Sequence, residues 1–174
     1  MKAPISRDHP LYLMFRELVQ TNIQRHVESR DAEEVERYLT ELLLEFLHTD
    51  AIFAIRDRTG QPIVSVIEMI GEGDVRLRAD SFEREREVHK HVGDYILFWS
   101  GIYPDFLRHI KVASICDIAC DYTRVGQESY RVVSSFAHGA FADEAPMFRK
   151  LSDGFADYSF VLGRVGREAN LHIA

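Results

Sequence analysis

Apolar residues recur every three or four positions along most of the chain, which is the spacing of one face of an α-helix. The strongest apolar seam lies in one short segment and consists of Val35, Tyr38, Leu39, Leu42, Leu43, Phe46 and Leu47. Asp31 and Glu34 stand at the separation of a capping box, with Asp in place of the usual Ser or Thr. The pattern therefore predicts a helix over residues 32–48.

The same spacing predicts a first helix and a long central helix. Asp8 is the expected N-cap of the first helix, because Pro10 suits a first helical turn. Asp80, with Glu83 three residues later, is the expected start of the central helix. The seam of that helix continues to residue 110, but Gly101–Pro104 interrupts it, since proline lacks the N–H that a helix interior needs. A kink or a break is expected there.

Two more helices are predicted in the second half of the chain. Residues 114–137 carry small side chains that would let a neighbouring helix approach closely: Cys116, Ala119, Cys120, Thr123, Gly126 and Ser129. Pro146 then opens the last predicted helix. Its seam has the spacing of a helical bundle and comprises Phe148, Leu151, Phe155, Tyr158, Leu162 and Val165.

Residues 50–70 allow two interpretations. The β-branched run at 63–67 and the turn residues before it suit a β-hairpin. Ser65, Glu68 and Glu72, however, fall at i, i+3 and i+7, which is the spacing of a helical polar face. We favour two short helices and keep the hairpin as the alternative. The glycine-containing residues 71–79 are expected to form a long loop.

Length and composition agree with a globular helical protein. The 174 residues have the length of one domain, and 46% of them are hydrophobic and 28% charged, as in ordinary globular proteins. We find no internal repeat or linker. The sequence therefore predicts an all-α fold, a single compact bundle of about six or seven helices in one domain over residues 1–174.

The charge balance reduces the classes of binding partner that are expected. The chain has 21 Lys and Arg against 28 Asp and Glu, a formal net charge of −7. Such a protein has no bulk attraction for nucleic acid or anionic lipid, so neither partner is expected. Its apolar runs are shorter than the roughly 18–20 residues that cross a bilayer, and the first residues carry no apolar signal segment. Cys116 and Cys120 are expected to be reduced and packed, as in a cytoplasmic protein.

One candidate metal stripe lies on the helix over 32–48. Glu45 and His48 form a Glu-x-x-His pair with Glu41 one turn earlier, which is the pattern that dimetal helical proteins use. The stripe points roughly 90–150° away from the apolar face of that helix. We expect it to face solvent, with Leu44 beside it as a possible oligomer contact.

A second candidate lies at the start of the central helix. Glu85 and His89, like Glu87 and His91, stand four residues apart, where a carboxylate orients an imidazole or shares a metal with it. Extending the seam backwards places Glu85 towards the core, His91 on the flank, and Glu87 and His89 further out. Ion pairing with the neighbouring arginines is the simpler interpretation. A haem would need only one axial histidine, for which His91, His109 and His138 are candidates.

No catalytic constellation is found. Ser134-Ser135 lacks the Gly-x-Ser-x-Gly context of a nucleophile elbow, and Gly71-x-Gly73 lacks the spacing of a phosphate-binding loop. No catalytic residue is therefore predicted, and a non-enzymatic role is favoured, although an enzymatic one stays open.

The leading hypothesis is a non-enzymatic interaction or scaffold protein that self-associates. Leu97 and Phe98 lie off the seam of the central helix and are expected to pack either on another helix of the same bundle or on a partner chain. Together with Leu44, the second placement supports a homodimer. The alternative is a metal- or haem-binding bundle of redox or sensor type that uses Glu85, Glu87, His89 and His91. A small-molecule-binding regulator is neither favoured nor excluded by the sequence.

Overall fold

The computed structural model describes residues 5–28, 32–47 and 49–171, which form helices joined by turns. The helices are α1 (Pro10–His26), α2 (Glu33–Phe46), α3 (Thr49–Ile52), α4 (Val66–Gly73), α5 (Phe82–Ile102), α6 (Pro104–Ala113), α7 (Tyr122–Ser135), α8 (Ala145–Asp153) and α9 (Phe155–Glu168). Within those ranges the only β-type pairing is one bridge between Arg56 and Pro62. The predicted all-α fold is confirmed. The expected six or seven helices are roughly right, because some predicted helices are divided in two.

Helix α5 lies at the centre of the bundle and contacts α2, α4, α6, α7 and α9. Every residue from 91 to 99 is buried, because α5 is covered around its whole circumference rather than along one seam. Leu97 and Phe98 are therefore fully buried inside the chain, and Leu44 of α2 is buried as well. Leu97 and Phe98 therefore pack within the bundle, which is one of the two placements that the sequence allows, and none of these three residues is available to a second subunit.

The interruption at Gly101–Pro104 is confirmed as a break between two helices. The N–H of Tyr103 closes α5 by donating to the carbonyl of Trp99 at 3.0 Å, and Pro104 occupies the first turn of α6. Across this corner the rings of Trp99 and Phe106 stack with their centroids 4.0 Å apart. The stack fixes the direction in which α6 folds back along α5.

Two helices begin one residue later than the sequence predicts. His9, rather than Asp8, caps α1, and its Nδ1 accepts a hydrogen bond from the backbone two residues later at 3.2 Å. Ser81, rather than Asp80, caps α5, and its hydroxyl accepts a hydrogen bond from the backbone three residues later at 3.2 Å. Helix α2 covers residues 33–46 of the predicted 32–48. Asp31 lies outside the described residues, so its capping box is not addressed.

Residues 49–73 contain the two short helices that the sequence favours, with a tight turn between them. In this turn the carboxylate of Asp57 accepts hydrogen bonds from the N–H groups of Thr59 and Gln61 at 2.8 and 2.9 Å. The hairpin alternative is reduced to the single bridge at Arg56 and Pro62.

The loop expected over residues 71–79 is observed over 74–81, because 71–73 belong to α4. Gly73 explains the difference. A Cβ at this position would lie 2.8 Å from the Cβ of Val88, so only glycine lets α4 pack this closely against α5. The glycine that looks like a loop residue in the sequence is a packing residue.

The helix predicted over 114–137 is wrong in its first third, since α7 begins only at Tyr122 and residues 114–121 form turns. Asp117 in these turns is fully buried, and its carboxylate accepts hydrogen bonds from the hydroxyl of Ser65 and the N–H groups of Val66 and Ile67. It thereby satisfies backbone donors that the first turn of α4 leaves without partners. In residues 114–121, the contact of Asp117 with α4 is therefore made in place of the helix that the sequence predicts.

The turns also separate the two cysteines. Cys116 is exposed and Cys120 is buried, and neither forms a disulfide. The expectation that both pack on one helical face is therefore wrong for Cys116. The small residues further along behave as predicted, since Gly126 and Ser129 are buried in α7. A Cβ at Gly126 would lie 2.3 Å from the ring of Phe155, so the glycine allows α9 to approach.

The predicted last helix is divided at Gly154 into α8 and α9. The residues of its predicted seam are all buried, namely Phe148, Leu151, Phe155, Tyr158, Leu162 and Val165. The apolar spacing therefore identified the buried side of both helices, although it did not reveal the corner between them.

The crossing of α5 and α9 offers a test of this packing. A Cβ at Gly101 would lie 2.6 Å from the Cβ of Leu162 and 2.9 Å from the carbonyl oxygen of Ser159, so backbone would have to move. We expect Gly101→Ala to lower the free energy of unfolding by about 1–3 kcal/mol in chemical denaturation. Gly71→Ala in α4, with no atom within 4 Å of the new Cβ, is the control and should change stability by less than about 1 kcal/mol. Equal effects of the two substitutions would contradict the packing.

Candidate functional site

The four candidate metal ligands of α5 lie in different surroundings. Glu87 is exposed and accepts a hydrogen bond from Arg84 at 2.9 Å, while Glu85 is half-buried. His89 turns towards α7, where its Nδ1 lies 3.4 Å from the hydroxyl of Ser129. His91 is buried and turns towards α2, with its ring centroid 5.8 Å from that of Phe46. The two histidines therefore do not converge, and His91 lies deeper than its predicted position on the flank.

The other candidates for a metal or haem lie apart as well. Glu41 and Glu45 are exposed, as predicted for the solvent face of α2, and His48 lies outside the described residues. His109 and His138 are exposed. Across the described ranges, no group of three or more His, Cys, Asp or Glu side chains is placed so that it could hold a metal ion.

The main polar feature of the core is the carboxylate of Asp94, which lies in the middle of α5 and is almost fully buried. Its Oδ1 accepts hydrogen bonds from the hydroxyls of Tyr38 in α2 and Tyr130 in α7, at 2.5 and 2.7 Å. Its Oδ2 accepts one from the ammonium of Lys90, one turn earlier, at 2.8 Å. We call these four residues the Asp94 cluster, and it links three helices through one buried charge.

The surroundings of the Asp94 cluster hold its phenols and ammonium in their protonated forms. Burial, reinforced by the negative charge of Asp94, raises the pKa values of Tyr38 and Tyr130 well above the ordinary value. For Lys90, burial opposes the charged form, but the nearby Asp94 carboxylate outweighs this, and the pKa is raised. At neutral pH the cluster therefore contains neutral phenols and an ammonium, and all three groups donate to the carboxylate.

Glycine next to the carboxylate lets the tyrosine of α7 reach it. A Cβ at Gly93 would lie 2.6 Å from Cε1 of Tyr130. The ring occupies the space that a side chain would need, so α5 and α7 come close enough for the hydroxyl to reach Asp94.

The Asp94 cluster forms one wall of a cavity of about 400 Å³ between α2, α5 and residues 143–148. Six carboxylates line this cavity, namely Glu34, Glu41, Glu45, Asp94, Asp143 and Glu144, whereas Arg37 and Lys90 are its two cations. We call it the acidic cavity. Beside it, the buried guanidinium of Arg86 pairs with Glu144 and lies 4.0 Å from the ring centre of Phe141.

A different kind of surface occurs at residues 112–118, between α6 and α7. Val112, Ile115 and Ile118 are 87%, 91% and 66% exposed, the first two being the most exposed large hydrophobic residues in the described chain. Asp117 anchors the same segment to the first turn of α4, where Ile67 is also exposed. We call residues 112–118 the apolar tip.

The apolar tip is held by polar contacts on its inner side. Besides the hydrogen bonds of Asp117 to α4, the ammonium of Lys111 donates to the carbonyl of Cys120 at 2.8 Å, which ties the two ends of the segment together. The hydroxyl of Tyr122 donates to Asp117 at 3.0 Å. The aliphatic side chains therefore face outward from a segment whose backbone is fixed.

Neither the Asp94 cluster nor the apolar tip can be recognised from a local pattern in the sequence. Tyr38 and Tyr130 lie 56 and 36 residues from Asp94, so only the fold reveals that they meet. The one clue is that Asp94 is followed directly by five apolar residues, 95–99, since a charge enclosed by apolar residues needs partners. At the apolar tip, aliphatic residues recur every three positions. This spacing suggests the buried face of a helix, so the sequence does not reveal that the segment is exposed.

Comparison with family models, with curated proteins and with solved structures finds no match for this chain. In the part of the chain that the structure describes, no helix combines the length and the apolar character that a membrane crossing requires.

The buried imidazole of His91 predicts a specific loss of stability in acid. Burial lowers its pKa, so the unfolded chain binds a proton more readily than the folded one. The contribution of the neutral ring is complete above the unfolded pKa of about 6.5 and falls as the pH drops below it, by at most about 1.4 kcal/mol per pH unit. We expect His91→Gln to flatten the decline of unfolding free energy between about pH 7 and pH 5.

The measurement is chemical denaturation at a series of pH values, and His138→Gln is the control because that residue is exposed. The control should retain the acid sensitivity of the wild type. His89 adds a contribution of the same sign, since burial lowers its pKa too. An unchanged slope in His91→Gln would show that this ring does not stay neutral in the folded protein.

Proposed function

We propose that this protein is a non-enzymatic interaction protein that self-associates through the apolar tip. The observation that carries the proposal is the outward position of Val112, Ile115 and Ile118 on one anchored segment. Strongly exposed large aliphatic residues gathered on one segment favour an interaction site over scattered surface apolar residues. Leu44, Leu97 and Phe98, which the sequence offered for this role, are in the core and unable to take part.

The fixed backbone of the tip supports a specific contact. Asp117 and Lys111 hold the two sides of the segment, so little conformational freedom is lost when its side chains become buried. Burying apolar area contributes about 25 cal/mol per Å² before the costs of association are subtracted. A rigid cluster of three aliphatic side chains is therefore a favourable start for an interface.

A second copy of the chain is the occupant that we propose. A tip that inserts into lipid is usually flanked by aromatic or free basic side chains, which anchor it at the membrane interface. Here residues 112–118 include no aromatic residue, the ammonium of Lys111 is bonded inward, and Arg108 pairs with Asp105 at 2.6 Å. Residues 112–118 themselves carry neither an aromatic nor a basic side chain, which favours protein over lipid.

The expected affinity is modest. Standard interfaces bury about 800 Å² on each partner, more than three side chains supply, so the contact must extend onto neighbours such as Ile67 and Val64. Two copies each carrying a net charge of −7 also repel one another. Because salt screens this repulsion and leaves apolar burial intact, association should strengthen as the ionic strength rises.

Sedimentation velocity over a range of protein concentrations tests the proposal. We expect a reversible dimer in the wild type that becomes stronger between about 0.05 and 0.5 M salt. Ile115→Asp should weaken the dimer by at least about tenfold, since it places a charge in an apolar contact. Leu77→Asp is the matched control, because it makes the same charge change at an exposed leucine in the loop over 74–81.

Two results would overturn self-association through the tip. One is a wild type that stays monomeric at every concentration, and the other is equal weakening by both substitutions. Binding of the wild type to neutral phosphatidylcholine vesicles, lost in Ile115→Asp, would assign the tip to lipid and would likewise end the proposal. Because Ile115 is 91% exposed, a folding defect is not expected in the variant, and circular dichroism checks this.

A further inference from the structure

The acidic cavity has the size and lining of a site for a small ligand. Its volume of about 400 Å³ lies in the range of small-molecule sites, roughly 300–1,000 Å³. Leu42 and Met147 supply apolar wall, and the rings of Tyr38 and Phe148 meet edge to face with centroids 5.3 Å apart. The cavity is open to solvent on one side, where its carboxylates Glu34, Glu45 and Asp143 are exposed. An aliphatic or flat group can therefore lie against the apolar wall while a charged group stays near these carboxylates.

The pairing of charges leaves the cavity acidic. Three of its carboxylates have cationic partners: Asp94 pairs with Lys90, Glu41 with Arg7, and Glu144 with Arg86. Glu34, Glu45 and Asp143 form no ion pair within the described residues, and Arg37 is the remaining cation of the lining. Three carboxylates facing one guanidinium leave a net negative charge that an incoming cation would neutralise.

The aromatic rings of the lining already attract cations. The ammonium of Lys90 lies 5.2 Å from the ring centre of Tyr38, and the guanidinium of Arg86 lies 5.7 Å from that of Phe148. These distances are within the range of cation–π attraction. Glu45, at the end of α2, acts electrostatically on both Tyr38 and Lys90, so its free carboxylate lies near the same rings.

The Asp94 cluster gives the cavity a rigid base. Tyr38 and Lys90 line the cavity and are both fixed by hydrogen bonds to Asp94, which is itself held by Tyr130. Little reorganisation is then needed when a ligand enters, which lowers the cost of binding.

We propose that the acidic cavity binds a small organic cation, an amine or guanidinium on an aliphatic stem. The cationic group lies against Tyr38 and the carboxylates of Glu45 and Glu34, and the stem contacts Leu42 and Met147. An anion is disfavoured, because Asp94 already neutralises Lys90 and the remaining lining is negative. A metal ion is disfavoured, since the described part of the chain assembles no group of three suitable ligands.

Isothermal titration calorimetry with agmatine tests the proposal, because this probe carries a guanidinium and an amine on a four-carbon stem. We expect saturable binding with one site and a dissociation constant below about 1 mM. Glutarate, a dicarboxylate of similar length, and Mg²⁺ should not bind at the same concentrations. Binding of either one as strongly as agmatine would overturn the proposed selectivity for organic cations.

Substitutions that keep the fold locate the site. Glu45→Gln removes an exposed carboxylate of the lining and should weaken agmatine binding by about tenfold, as expected for the loss of one charged contact. Glu33→Gln on the same helix makes the same charge change outside the lining and should leave the affinity within about twofold of the wild type. Absence of saturable binding, or equal weakening by both variants, would overturn the proposal.

Discussion

The burial of one carboxylate, that of Asp94, is the constraint to which the rest of this structure is fitted. A charge inside a protein is very costly unless hydrogen bonds and an opposite charge compensate it. Tyr38, Tyr130 and Lys90 provide that compensation from three helices. Because both phenols must reach the same carboxylate, the cluster constrains how α2 and α7 lie against α5.

The hydrophobic pattern predicts much of the fold because a core-facing seam is a local property of each helix. It identifies the buried residues of α8 and α9, the break at Gly101–Pro104 and the all-α class. It fails where a contact is made across the chain. Asp117 serves the start of α4, 50 residues earlier, and its segment forms turns instead of the predicted helix. The seam alone leaves open whether Leu97 and Phe98 face another helix of the bundle or a second subunit, and the enclosure of α5 by its neighbours decides for the bundle.

The sequence predicts less about the candidate sites than about the fold. The predicted ligands Glu85, Glu87, His89 and His91 follow from i, i+4 spacing, but helix α5 turns its two histidines towards different neighbours. The acidic cavity and the apolar tip share no residue. Helix α5 lies behind both, since Asp94 forms the base of the cavity while the hydroxyl of the next residue, Tyr95, donates to the carbonyl of Val64 beside the tip at 3.4 Å. The proposed self-association and the proposed ligand site therefore depend on the same central helix.

A spectrophotometric titration of the tyrosines tests the Asp94 cluster most directly. The chain has seven tyrosines, and their ionisation is followed in the near ultraviolet as the pH of the folded protein is raised. The account predicts that Tyr38→Phe/Tyr130→Phe removes amplitude only from the late part of the curve, because burial beside Asp94 raises the pKa values of both phenols. If the double variant instead loses amplitude near the ordinary tyrosine pKa of about 10, those hydroxyls face water and the Asp94 cluster is not the centre of the fold.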